Sequence, residues 1–188
     1  MWEIDQSDQL DQSDLPDFCR KATVVFGVGN ILFGDDGFGC AVIDYVEAHY
    51  RVPEAVCLLD VGTSVRKLLF TLCLSTARPE RLLIVDAIDA GRTPGEIFEI
   101  DPAEIPPVKL DDFSLHQLPT SNLLRELQET CGVEVRVLAC QTGPLPEEIS
   151  QGLSKAVSGA VPQAAEWLVG EYFPSVTAPR GDLCQTTC

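Results

Sequence analysis

The chain has 188 residues, 45% of them hydrophobic, and a formal net charge of −16 at pH 7. That length supports one globular domain that buries roughly 70% of its unfolded surface. The charge argues against nucleic acid, which demands clustered Lys and Arg, and no run reaches the roughly eighteen uninterrupted apolar residues of a membrane helix.

The opening stretch, MWEIDQSDQLDQSD, has neither the basic nor the apolar region of a secretory signal, so a cytoplasmic location is expected. Six acids (Glu3, Asp5, Asp8, Asp11, Asp14 and Asp17) precede Arg20, and residues 1–20 read as a solvated, disordered acidic tail. Thr23–Gly29 is a strand by its length and β-branched content. It runs into Gly34-Asp35-Asp36-Gly37, which suits a helix start, because acids are favoured beside unpaired N–H groups and the dipole. The helix extends from Asp36 to about Tyr50, with Val42, Ile43 and Val46 on one face and Asp44 and Glu47 on the other. Ala55–Asp60 is a second strand, followed by a helix over about Val65–Ser75. Arg81–Ala87, nearly continuous in Leu, Ile and Val, is a strand covered on both faces.

Gly95–Ile100 is a weaker strand, and a Pro-rich loop then leads to His116. A helix is expected from Thr120 to about Cys131, a strand over Val133–Cys140 and a turn at Gln141–Pro146. A last helix is expected from Glu147 to about Tyr172, kinked or broken at Pro162. Strands alternating with helices predict a single α/β domain over 21–173: a twisted, largely parallel sheet with helices on both faces. Residues 174–188 form a C-terminal tail carrying Cys184 and Cys188. Cys40, Cys57, Cys73 and Cys140 lie in apolar runs and read as reduced, buried thiols. Two tail cysteines at C-x3-C spacing do not complete a metal site, although a partner could complete a cluster.

Three apolar runs end on acids: the first reaches Asp36 through its glycine turn, the second stops on Asp60 and the third on Asp86. In open α/β sheets such ends flank the ligand crevice. With His116, two of these acids would make an O,O,N metal site. Each residue also has an ordinary reading. Asp36 can cap a helix, Asp60 can end a strand, Asp86 can bind loop N–H groups, Asp89 can be solvated, and His116 can be a satisfied loop histidine. His49, on a helix flank beside Tyr50, reads as structural.

Other chemistries fit less well. Gly27-x-Gly29 is followed by Leu32 where a dinucleotide fingerprint needs a third glycine, and the acids after the turn repel phosphate. Neither DVGT nor DAID is the Asp-Thr/Ser-Gly triplet of an aspartic protease. Cys40 and Cys140 are cysteine-nucleophile candidates by sheet position alone, and no G-x-S-x-G elbow is present.

In chain order the motifs are G-x-GN-x-L-x-GDD-G-x-G at Gly27–Gly39, LD-x-GT at Leu59–Thr63 and VDA at Val85–Ala87. HQL follows at His116–Leu118, then a strand-to-Gly-Pro turn at Gln141–Pro144 and GLSKAV at Gly152–Val157. This ordered set resembles the hydrogenase maturation endopeptidases, which trim the large subunit of nickel–iron hydrogenases. The resemblance covers about Thr23–Val169, leaving both tails outside it. It maps the family's two acids and histidine onto Asp36, Asp86 and His116, as metal-contacting and catalytic residues, with Gly34, Asp35 and Asp60 in support. Many relatives have Glu where this chain has Asp36, so the shorter arm must bring its carboxylate closer or accept a looser contact. The GDDG form and the cysteine-rich end resemble the branch serving coenzyme F420-reducing hydrogenases.

The resemblance implies removal of a C-terminal extension from the large-subunit precursor after nickel insertion, by an aspartyl endopeptidase-like hydrolase. Nickel would be presented by the substrate, with no permanent cofactor. Apart from the resemblance, an acidic monomer meeting its large substrate is the simplest oligomeric state to expect. Nickel could polarise the scissile carbonyl or a carboxylate could activate water, and backbone N–H groups of Gly34–Gly37 are oxyanion-hole candidates. The rival readings are a non-catalytic nickel-sensing chaperone of the large subunit and a metal-dependent amidase of small substrates.

Overall fold

The computed structural model describes residues 15–102, 119–146 and 148–173, with the backbone alone for 119–121. Its strands are β1 (Thr23–Val28), β2 (Val56–Gly62), β3 (Arg81–Ile88), β4 (Ile97–Ile100) and β5 (Glu134–Gln141). Its helices are α1 (Phe38–His49), α2 (Val65–Leu74), α3 (Pro119–Glu129) and α4 (Lys155–Tyr172). The strands form one sheet in the order β2-β1-β3-β5-β4. The pairs β1–β2, β1–β3 and β3–β5 are parallel, while β4 runs antiparallel to β5 at the edge. The single-domain α/β architecture expected from the alternating pattern is therefore present, with the weak strand taking the reversed edge.

The alternation of side chains along each strand divides the core in two. From β3, Leu83 and Val85 join Phe38, Val42 and Val46 of α1 and Ala164 and Leu168 of α4. Leu82 and Ile84 join Leu69 and Leu72 of α2 and Leu124 and Leu127 of α3 on the other face. Two helices thus cover each face, and β1 buries all six of its residues. Burying a Val or Leu side chain stabilises by about 1.5–3 kcal/mol, so this strand contributes strongly for its length. Among the described residues, no helix is long and apolar enough to cross a membrane.

Three local expectations are corrected. The acidic tail does not extend to residue 20, because Asp17–Arg20 form a 3-10 turn that buries Phe18 and Cys19. Phe18 lies edge-on to Phe26, with ring centroids 6.0 Å apart, so apolar burial outweighs the charge of its neighbours. Residues 1–14 and 174–188, the bulk of the two expected tails, lie outside the described residues. The last helix begins at Lys155 rather than Glu147, with the Ser154 hydroxyl accepting from the Val157 N–H. The preceding stretch is held by the site loops, described below. Helix α4 also runs unbroken across Pro162, its Val161, Ala164 and Ala165 face packed on the sheet.

Candidate active site

The sheet order sets where a site can form. From β1 the chain goes to β2 on one side, and then returns across to β3 on the other. The carboxyl ends of β1 and β3 therefore border a crevice at the point where strand order reverses. A cavity of about 380 Å³ opens there, lined by Val28, Gly29, Asp36, Asp86, Ala87 and Asp89 and by residues 142–145.

Asp36 reaches the cavity because β1 ends on a glycine turn. Gly29 has φ +130°, and a Cβ there would lie 1.7 Å from the Asp36 carbonyl oxygen. Only glycine lets the 3-10 turn Gly34–Gly37 fold directly onto the strand end. Gly39, at the start of α1, is similarly enclosed, since its Cβ would meet the Val28 and Val85 carbonyl oxygens at 2.3 Å each. The glycine spacing that mimics part of a nucleotide fingerprint thus serves close packing of turn and helix onto β1 and β3. The Asp36 carboxylate accepts the Asn30 N–H at 2.7 Å, which fixes its orientation, and the residue is buried.

Asp86 comes from the central strand. Its carboxylate accepts the neighbouring Ala87 N–H at 2.8 Å. The residue is partly exposed to the cavity, yet the surrounding protein desolvates its carboxyl strongly. Burial, opposed by the Ala87 hydrogen bond and reinforced by the charge of Asp36, pushes its pKa up from 3.8 to about 7. Two carboxylates near enough to repel each other share one cavity. No Lys, Arg or His is among the described residues that line it. Such a place favours a cation, which would hold Asp86 ionised.

Asp35 faces away from this chemistry. Its carboxylate accepts the Ser154 N–H at 2.6 Å and the Gly143 N–H at 3.2 Å, so one buried acid clasps both ends of the loop that joins β5 to α4. Ser150 pairs with Phe33 in the same region, its N–H donating to the Leu32 carbonyl at 2.9 Å and its carbonyl accepting the Gly34 N–H at 2.7 Å. These bonds hold 148–154 out of the helix and delay the start of α4. They also revise the oxyanion expectation: the Gly34 N–H is engaged by Ser150, and the Asp36 N–H bonds the Phe33 carbonyl at 3.3 Å.

Asp60 stands apart. It is exposed on β2, does not line the cavity, and its carboxylate accepts the Gly62 N–H at 3.0 Å. Its role in this structure is to close the turn after an edge strand, and it also faces the Cys40 thiol. His116 lies outside the described residues. His49 is structural, stacked on Tyr45 at 3.9 Å with Nδ1 2.8 Å from the Tyr45 carbonyl. Among the described residues, no group of three or more His, Cys, Asp or Glu could hold a metal ion.

A third carboxylate borders the same cavity and is more than a solvated acid. Asp89 accepts from the Gln141 side-chain amide at 3.0 Å and from the Gly91 N–H at 3.1 Å. The first of these bonds, helped by the second, holds its pKa below the ordinary carboxylate range. Gln141, 3% exposed, also accepts the Ala90 and Arg92 N–H groups at 2.8 and 3.0 Å, and donates to the Thr142 carbonyl at 2.8 Å. One buried amide therefore fixes the loop that carries Asp89. A signal was present in the sequence: Gln141 is a polar residue closing an apolar strand, and Asp89 sits three residues beyond Asp86. Thr142 also lines the cavity, and its buried hydroxyl has no hydrogen-bond partner among the described residues.

The cysteine-nucleophile candidates fail on chemistry. Cys40 and Cys140 are buried and do not line the cavity. Burial pushes the Cys40 thiol up to about 12, with hydrogen bonding to Asp60 adding to it, while burial and the Asp35 charge push Cys140 up to about 11. Neither supplies thiolate near neutrality. All six described cysteines are free, in keeping with the reduced-thiol reading of the apolar runs.

Comparison with known proteins gives a consistent result. The hydrogenase maturation protease family, HycI, matches residues 40–171. The chain is 38% identical over 153 residues to a Methanocaldococcus jannaschii protein provisionally named a hydrogenase maturation protease, covering 81% of this chain and 97% of that one. It is 33% identical over 156 residues to the coenzyme F420 hydrogenase subunit delta of Methanothermobacter thermautotrophicus, covering 79% and 92%. Its fold is similar to that of the hydrogenase maturating endopeptidase HybD from E. coli, with a TM-score of 0.66, 28% identity, and 85% and 98% of the two chains covered.

Proposed function

The chain belongs to the hydrogenase maturation protease family, and from that premise we propose that it removes a C-terminal extension from the large-subunit precursor of a nickel–iron hydrogenase. The substrate presents its inserted nickel to Asp36, Asp86 and His116. The observation that carries this reading is the Asp36–Asp86 pair, two mutually repelling carboxylates in one cavity whose described lining holds no cationic side chain. The similarity to a coenzyme F420 hydrogenase subunit favours a precursor of that class as the substrate.

The donor set fits nickel, which accepts carboxylate oxygen and imidazole nitrogen together. Selectivity for metal-loaded precursor then has a physical origin. Without nickel, bringing substrate into the cavity leaves two acids in mutual repulsion. With it, the same acids become ligands and their repulsion is offset by the cation. Either the ion polarises the scissile carbonyl or a carboxylate takes a proton from attacking water. Asp86 suits the second role where the other donors hold the ion, because in the metal-free site its pKa of about 7 allows it to accept and return a proton near neutrality. Asp36, held by the Asn30 N–H, suits orientation of the ion. Gln141 holds Asp89 at the cavity edge, where it can bind the substrate chain beside the cleaved bond.

The test is cleavage of the partner large-subunit precursor, loaded with nickel or free of it, by wild type, Asp36→Asn, Asp86→Asn and His116→Ala. Nickel-dependent shortening that the folded variants lack is the expected result. Tight binding without shortening would favour the chaperone reading instead. Cleavage unaffected by all three substitutions would overturn the site.

A further inference from the structure

We propose that Ile31, Leu32, Leu145 and Ile149 form an apolar rim that docks the body of the precursor beside the cleaved segment. This rests on the maturation-protease reading and adds the surface that selects its substrate. Six large apolar residues are exposed among the described residues, and these four lie on the two loops that border the cavity. The other two, Phe70 and Leu74, are on α2. Isolated exposed apolar residues are ordinary, whereas a group concentrated at the mouth of a site is not.

The four are also built into one unit. The loop after β1 and the loop after β5 are joined by the Phe33–Ser150 bridge and its two backbone hydrogen bonds. Ile31 and Leu32 precede that bridge on one side, and Ile149 adjoins Ser150 on the other. Leu145 lines the cavity itself, next to Pro146, whose ring lies against Gly34. The turn that holds Asp36 therefore also holds the rim. Ile31 and Ile149 are 59% and 68% exposed, so they contribute little to the core and keep most of their surface available to a partner.

Two further observations identify the occupant. A cavity of about 380 Å³ accepts only a short stretch of polypeptide, so contacts outside it must distinguish one protein substrate from another. The sequence around the rim also lacks Lys and Arg altogether between Lys21 and Arg51, and again between Arg136 and Lys155, in a chain of net charge −16. An apolar rim around an acidic cavity complements a surface with apolar side chains flanking a cationic or metal-bearing segment. On the maturation-protease reading the precursor brings the metal-bearing segment, and its body supplies the area that a specific protein contact needs.

The experiment compares wild type with Ile31→Ser/Ile149→Ser and with Phe70→Ser/Leu74→Ser, a similar apolar loss on α2. All are assayed on nickel-loaded full-length precursor. The rim variant should raise KM about tenfold and leave kcat at saturating precursor within about twofold, because its residues act in docking and not in chemistry. The α2 variant should match wild type. Wild-type KM in the rim variant, or equal weakening in the α2 variant, would overturn the docking surface while leaving the protease intact. Absence of cleavage by wild type would instead overturn the functional reading on which the rim depends.

Discussion

Replacing Asp86 by Asn should stabilise the metal-free protein, by an amount that grows with pH. In the native state the Asp86 carboxyl titrates near 7, against 3.8 for an ordinary aspartate, chiefly because burial disfavours its charge. Between those values the folded protein binds more protons than the unfolded chain, so stability falls as pH rises through that window. At about 1.4 kcal/mol per pH unit, the difference reaches about 4 kcal/mol by pH 8 and is under about 1 kcal/mol at pH 4. Asn is nearly isosteric with the protonated acid, and its side-chain oxygen can keep the Ala87 N–H bond while removing the repulsion from Asp36. The assay is urea unfolding of wild type and variant at pH 4, 6 and 8 with chelator present, followed by far-ultraviolet circular dichroism. The gap between the two proteins should widen steadily in favour of Asn. A gap that stays constant with pH, or a variant less stable than wild type at pH 8, would refute the claim that the site is a destabilised pair of acids. The same variant should lose cleavage, as expected where a functional site opposes folding stability.

The remaining predictions concern how the site is held. Asp35→Ala removes two charge-assisted hydrogen bonds and leaves the Gly143 and Ser154 N–H groups without their acceptor, at a cost of about 3–5 kcal/mol; Asp35→Asn, which retains one accepting oxygen, should lose about half as much in the same denaturation assay. Gly29→Ala forces a side chain into the Asp36 carbonyl at a positive φ and should cost about 3 kcal/mol or more, with precursor cleavage lost even where thermal melting still shows a folded population. Cys40→Ala and Cys140→Ala should each retain cleavage, with a stability loss of about 1–2 kcal/mol from the missing buried sulfur. Inactivation of a folded cysteine variant would restore the thiol mechanism.

The sequence was most legible where local physics and tertiary structure agree. Val42, Ile43 and Val46 mark the buried face of α1 by spacing alone, and β3 is recognisable as a central strand because both of its faces must be apolar. The placement of Asp36 and Asp86 also followed, since strand ends of an α/β sheet converge at a position set by topology. What spacing could not assign was the division of labour within Asp35-Asp36. Adjacent residues of the same type point in different directions from a 3-10 turn, so one clasps the loop before α4 while the other meets the cavity.

The start of α4 and the fate of the N-terminal segment were misread for a related reason. Residues 148–154 have no strong local preference against a helix, and their non-helical path is imposed by Asp35, Phe33 and Gly34, more than a hundred residues away in sequence. Phe18 and Cys19 sit in an acidic context that reads as solvated, but Phe26 and its neighbours offer them a place in the core. Gln141 and Asp89, some fifty residues apart, become a hydrogen-bonded pair only once β5 is laid beside β3. The sequence alone thus determined the family, the α/β class and the acids available at the strand ends, because these depend on composition and short-range pattern. Tertiary structure decided which acid is desolvated, which is a clasp and which lines the cavity, because desolvation and hydrogen bonding depend on which distant segments close around each carboxylate.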